Sequence, residues 1–280
     1  MNKSILSLMK AISFMVLLVI SKNGYAQEIK SDSELLQVVD KHLQTPIKTI
    51  VLENGDVFLQ RDQTSIAETI TSNKKYNSKN ELISTEHGTE GCHHDGEAIA
   101  RFLNSPQPSV KTMEKYFELA STKYNVPIEI LKAMGQIQSN WAQAPVSIYG
   151  SYGVMGLIES ENVKQIDLAS KLSGLSPNDI QTNAKSNIMA AAALLAYHQK
   201  SQPKSSKLED WYEATRQLTG FTNDELKTSL ANRVFKLIND GSKTVTNWKE
   251  IINIEAKSVK IPLSILKTKP NKTEKTSAYT

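Results

Sequence analysis

Leu131-Lys132-Ala133-Met134-Gly135-Gln136-Ile137-Gln138-Ser139-Asn140-Trp141 is an apolar helical stretch that finishes on polar side chains, and the segments around it follow its register. Steps of three and four place Leu131, Met134 and Gln138 on one stripe, so Gln138 is predicted to point inward, toward core or cleft, at the helix's end. Pro127 is expected at the first position of this helix, where a missing N–H costs nothing. Ahead of it, Lys111 to Tyr124 carries Tyr116, Phe117, Ala120 and Tyr124 at helical spacing. Behind it, a loop rich in Gly and Tyr runs from Pro145 to Gly156, followed by a helix from Asn162 to Leu172 with Gly174 just past its end.

Ser176-Pro177-Asn178-Asp179 begins a short helix, and Ile188 to Tyr197 a longer one in which Ala190 to Ala193 allow close approach of neighbours. One further helix carries Trp211, Tyr212 and Leu218 and stops at Gly220. Another opens on a Thr222-Asn223-Asp224-Glu225 capping box and ends near Gly241. Trp248 and Ile251-Ile252 are expected to add one last packed turn. The fold class is therefore mainly α.

The flanks read differently. Lys3 and Lys10, the apolar run Ala11 to Ile20 and the small residues of Gly24-Tyr25-Ala26 form a secretory signal over residues 1–26. That run is too short to span a bilayer comfortably, and no later segment is apolar enough. The expectation is a periplasmic or secreted protein with no stable membrane span after signal removal. Residues 27–105 form an N-terminal extension, 106–245 the helical domain, and 246–280 a C-terminal segment with a disordered tail. Within the extension, Ser31-Asp32-Ser33-Glu34 caps a short amphipathic helix through Leu43, and Asn54-Gly55 joins Thr49–Leu52 to Val57–Leu59 as a β-hairpin.

The formal net charge of +4 sits at the two ends: without Lys3, Lys10 and Lys22 it is +1, and Lys267–Thr280 carries a net +3, so the body is near −2. Such a body has no concentrated basic face for nucleic acid. The single cysteine, Cys92, excludes an internal disulfide. His87, Cys92, His93 and His94 are of metal-ligating type, but their spacing matches no strong motif and adjacent side chains do not readily face one ion. They are read as a polar loop, with no metal and no cofactor expected.

In order and spacing, three blocks resemble those of the soluble lytic transglycosylase and goose-type lysozyme superfamily. They are Gln138-Ser139-Asn140-Trp141, Gly150 to Leu157, and Asn187-Ile188 followed by small residues. With Ala144-Pro145 and Asp210-Trp211-Tyr212, the Gln-Ser-x-Trp pattern is also similar to a degenerate lysozyme-like module that accompanies N-acetylmuramoyl-L-alanine amidase domains in some bacteria. The resemblance covers residues 108 to 243 and implies a lysozyme-like helical domain. It further implies peptidoglycan glycan strands as partner, with an amidase or other envelope protein as a second. The part after Val245 shows no amidase zinc-ligand set, so amidase activity is not implied. By the same resemblance, Gln138 stands where the family has its acid glutamate, and Ser139 is the residue supporting it. Gly153, Val154, Met155 and Gly156 form the turn lining the glycan cleft, with Gly156 in place of a glutamine, and Asn187 belongs to the third block.

Glycosidic cleavage needs a proton for the leaving oxygen. A glutamine amide can donate a hydrogen bond but has no proton to give. Losing general acid catalysis costs about 10²–10⁴-fold in rate. Glu159 and Glu161 are candidates for a displaced acid, against the alternative that they simply favour the positive end of the following helix. Tyr149, Tyr152 and Trp141 are candidates for stacking on sugar rings or for core packing. The expectation is an exported peptidoglycan-binding protein that is catalytically impaired. The alternatives are an active hydrolase or lytic transglycosylase using Glu159 or Glu161, and a non-catalytic envelope scaffold.

Overall fold

A helix that is apolar on every side has to be wrapped by others. Ala184–His198 is that helix: Ile188, the alanines 190 to 193, Leu194 and Leu195 are all buried. The computed structural model describes residues 44–61, 74–76, 82–85, 105–144, 146–147, 150–199 and 207–260. Among them are seven α-helices: α1 (Val110–Tyr124), α2 (Ile128–Ser139), α3 (Gln165–Ser173), α4 (Pro177–Thr182), α5 (Ala184–His198), α6 (Tyr212–Leu218) and α7 (Asp224–Asp240). Helices α1, α3, α4 and α6 pack on α5, while α7 packs on α2 and α6. The described fold is mainly helical, and no described helix is long and apolar enough to cross a membrane. The expected signal segment, the helix after Ser31, the Cys92 cluster and the lysine-rich tail lie outside the described residues.

Helix ends follow local chemistry. The Ser109 hydroxyl accepts the Thr112 N–H, Asn125 closes α1 at φ 53°, and Gly174 closes α3 at φ 74°. Three boundaries differ from expectation. Pro127 has an extended ψ of 127° and caps α2 from outside it. Asn223, not Thr222, caps α7, because its carboxamide oxygen reaches the Leu226 N–H at 2.9 Å. The third is α3, which begins at Gln165 and not at Asn162: the chain first turns back on itself, with Ser160 N–H bonded to Val163 O.

The hairpin predicted at Asn54-Gly55 is present, as β1 (Ile47–Val51) and β2 (Val57–Arg61), and Gly55 takes the expected positive φ. Farther along, β3 (Lys74–Tyr76) pairs with β4 (Leu82–Thr85), and β5 (Gln107–Pro108) joins β2. The loop after α2 contains a two-residue ladder, β6 (Ser151–Tyr152) with β7 (Leu157–Ile158). The expected last packed turn at Ile251-Ile252 is instead a strand. Ile252 and Ile254 are buried in alternation, the period of a half-buried strand, and β9 (Ile251–Ile254) pairs with β8 (Ser242–Val245). This hairpin joins both sides of the expected boundary at 245/246 and ties to α2 through Gln136, whose Nε2 donates to Ser242 and Thr244.

The N-terminal hairpin is fastened to the helical body at two points. Asp56 meets Lys115 and Tyr116 of α1, each at 2.7 Å. Arg61, only 2% exposed, donates to the carbonyls of Thr45 and Asn247, so its guanidinium bridges the two ends of the described chain. Leu59, Ala142 and Trp248 form a small second core at this junction.

Candidate functional site

The site is built where the end of α2 meets the turn between β6 and β7. Helix α2 comes close to its neighbours because Gly135 has no side chain: a Cβ there would lie 3.0 Å from the Phe117 ring and 3.3 Å from Trp141. The helix closes on Asn140 at φ 52°, and Trp141 follows at φ 59°, a conformation that a bulky residue adopts only when its surroundings hold it. Here the indole is buried, lies 4.9 Å from the Phe117 ring and donates to Lys132 O at 2.9 Å. Trp141 is therefore core and is not available to stack on a sugar.

Gln138 occupies the last turn of α2, half-buried. Its side chain lies over Gly156, such that a Cβ on that glycine would be 3.0 Å from the Gln138 Cδ and 3.1 Å from Oε1. Among the described residues the carboxamide has no hydrogen-bond partner, so its donors and acceptor are left unused by the protein's own backbone.

Two side chains hold the turn beneath it. Asn187, fully buried on α5, accepts the Met155 N–H at 2.8 Å and donates to the carbonyls of Tyr152 at 3.2 Å and Ile180 at 2.9 Å. Gly153 lies so close to that amide that any Cβ would come within 2.5 Å of it. Ser139 sits 2.9 Å from Val154 O and accepts the Ala142 N–H at 3.1 Å. The three sequence blocks thus converge, with Gln138, Ser139, Gly153, Gly156 and Asn187 in one neighbourhood. Their roles divide: Gln138 and Gly156 form the surface, while Ser139 and Asn187 spend their polar atoms on backbone and position the turn instead of touching a ligand.

The remaining candidates fall elsewhere. Met155 is 1% exposed and belongs to the core, together with its neighbours Val154 and Leu157. Tyr152 is partly buried and packs on that core, and Tyr149 lies outside the described residues. Glu159 is turned to the start of α3, where one carboxylate oxygen accepts the N–H groups of Ile166 at 2.9 Å and Asp167 at 3.3 Å. Its other oxygen is 3.3 Å from the Lys164 ammonium. An acid so engaged caps a helix. Glu161 is exposed in the turn before α3.

One anchoring residue was not singled out from sequence. Gln165, 7% exposed, accepts the Ile158 N–H at 2.7 Å and donates to Leu218 O at 2.9 Å, locking β7 to the end of α6. A glutamine opening a helix carries no linear signal of this, since both partners are distant backbone groups. Among the described residues no group of His, Cys, Asp and Glu is placed to hold a metal ion. No family model matches the chain, and neither does any curated protein.

Proposed function

We propose that this chain is an exported, lysozyme-like protein that binds peptidoglycan glycan strands along the surface at Gln138 and Gly156 without cleaving them. The observation that carries this reading is the Gln138 carboxamide, unpartnered among the described residues and laid over Gly156, where the resembled enzymes keep an acid. An amide in that position offers two N–H donors and a carbonyl acceptor, a set suited to sugar hydroxyl and acetamido groups, and it supplies no proton to a leaving oxygen. The engagement of Glu159 with α3 supports the non-cleaving form of the reading over one with a displaced acid. An amidase or another envelope protein is proposed as the partner that would act on strands held this way.

The test is co-sedimentation of the protein with insoluble purified peptidoglycan, together with mass spectrometry of the supernatant. The expected result is protein in the pellet, less of it for Gln138→Ala, and no soluble muropeptides. Protein that stays wholly in solution, or brisk release of muropeptides by the wild type, overturns the proposal.

A further inference from the structure

On another part of the molecule, the turn at residues 159–164, the end of α5 and the α6–α7 turn enclose an open depression of about 270 Å³. Its composition is unusual for a protein with a near-neutral, slightly acidic body. Two lysines, Lys164 and Lys227, line it together with His198, and among the described residues no carboxylate does. Lys164 is shared with Glu159 outside the rim. The ammonium of half-buried Lys227 has no hydrogen bond or carboxylate partner among the described residues. A cation with no protein partner beside apolar surface is free to make a charge-assisted hydrogen bond to an anionic ligand.

The apolar share of the depression narrows the ligand. Leu168 and Leu194 contribute to its lining, and Phe221 stands at it with 37% of its surface exposed. A bare inorganic anion would use none of these three side chains. Gln217 donates its Nε2 to Glu213 at 2.6 Å, which leaves its carbonyl oxygen to accept an N–H from a ligand. The rim is also rigidly shaped: Gly220, at φ 70°, approaches Gln165 so closely that a Cβ would lie 2.8 Å from its Oε1. Burial holds the His198 imidazole below its ordinary pKa, with Lys227 acting in the same direction and Glu213 against it, so at neutral pH it serves as an uncharged hydrogen-bonding group.

We propose that this depression is a second binding site, separate from Gln138, for a carboxylate carried on an apolar, amide-bearing body: an N-acyl amino acid or the C-terminal end of a short peptide. Lys227 and Lys164 receive the carboxylate, Gln217 accepts the amide N–H, and Leu168 and Phe221 hold the side chain over a floor backed by the buried Leu194. The assignment stands on the depression itself and does not depend on glycan binding elsewhere.

The probe is N-acetyl-L-leucine, titrated into the full chain while the methyl resonances of Leu168 and Leu194 are followed by NMR, with N-acetyl-L-leucinamide and inorganic phosphate as controls. Saturable shifts are expected with the acid. Binding is expected to weaken about tenfold or more for the amide, and by a similar factor for Lys227→Gln, because each change removes a charge-assisted contact. Lys227→Gln should leave the melting temperature unchanged, since Lys227 contacts no described partner, and should leave sedimentation with peptidoglycan through Gln138 unchanged as well. Equal binding of acid and amide, unaltered affinity in Lys227→Gln, or reproduction of the shifts by phosphate alone would overturn the proposal.

Discussion

Gln138 lies so close over Gly156 that a Cβ on the glycine would sit 3.0 Å from the glutamine's Cδ, tight enough that the glutamine would have to shift. Gly156 also has φ 60°, a backbone conformation that disfavours any side chain. Gly156→Ala therefore carries two penalties, backbone strain and the displacement of Gln138. The expected outcome is a loss of about 1–3 kcal/mol in urea unfolding, with reduced retention by peptidoglycan. A variant as stable and as well retained as wild type would show that the contact is slack.

Gln138→Glu tests the chemistry more directly. It replaces an amide by a carboxylic acid in a half-buried place with no cationic partner among the described residues, so partial burial works against the charged form. Because general acid catalysis contributes about 10²–10⁴-fold, cleavage of purified sacculi is expected to rise from background to a measurable rate. Muropeptide mass spectrometry reads it out. No gain with binding intact would mean that the turn at Gly156 is also wrong for turnover.

Much of this arrangement was legible in the chain before its structure was known, and the reasons are local. The stripe Leu131, Met134, Gln138 put Gln138 on the side of α2 that meets the turn at Gly156, because helical periodicity is a property of neighbouring residues. Asn54-Gly55 announced the β1–β2 turn for the same reason. What stayed hidden depends on distant partners. Nothing near Glu159 in sequence says that its carboxylate will reach the amides of Ile166 and Asp167 after an extra turn at 160–163. The strand at Ile251–Ile254 was masked because four residues with two buried isoleucines fit a turn of helix as well as an edge of sheet until a pairing partner is placed.

Asn187 is the buried clamp of the candidate site, and removing its amide should be expensive. Asn187→Leu leaves the Met155 N–H and the Tyr152 and Ile180 carbonyls without their partner in a fully buried location. The expected destabilisation is about 2–4 kcal/mol, and the turn should detach from α5 before the whole domain unfolds. Hydrogen exchange at Met155 is the sensitive measurement. Unchanged protection there would show that another group holds the turn.

Glu159→Gln separates a helix cap from a displaced acid. The carboxylate accepts two N–H groups at the start of α3 and pairs with Lys164, so neutralising it should cost about 0.5–2 kcal/mol of stability. Release of muropeptides should be the same background value in variant and wild type. A wild-type activity that disappears in Glu159→Gln would instead make this residue the acid and displace the binding-only reading.

Asp56 provides a pH signature for the attachment of the N-terminal hairpin to α1. Burial works against its charge, yet the donors of Lys115, Tyr116 and Asn54 outweigh it and hold the carboxyl below its ordinary value. A carboxylate depressed on folding adds stability that is fully present above the unfolded value of 3.8 and is lost as pH falls below it, through the lower folded value. Asp56→Asn is therefore expected to be less stable than wild type at neutral pH by about 1–3 kcal/mol, the worth of charge-assisted bonds to a buried acceptor with a half-exposed lysine partner. The two proteins should converge in acid, because protonation of wild type removes the same charge that the substitution removes. Denaturant midpoints taken across that range decide it: a gap of constant size would mean that the aspartate's charge contributes nothing and that only the shape of its contacts matters.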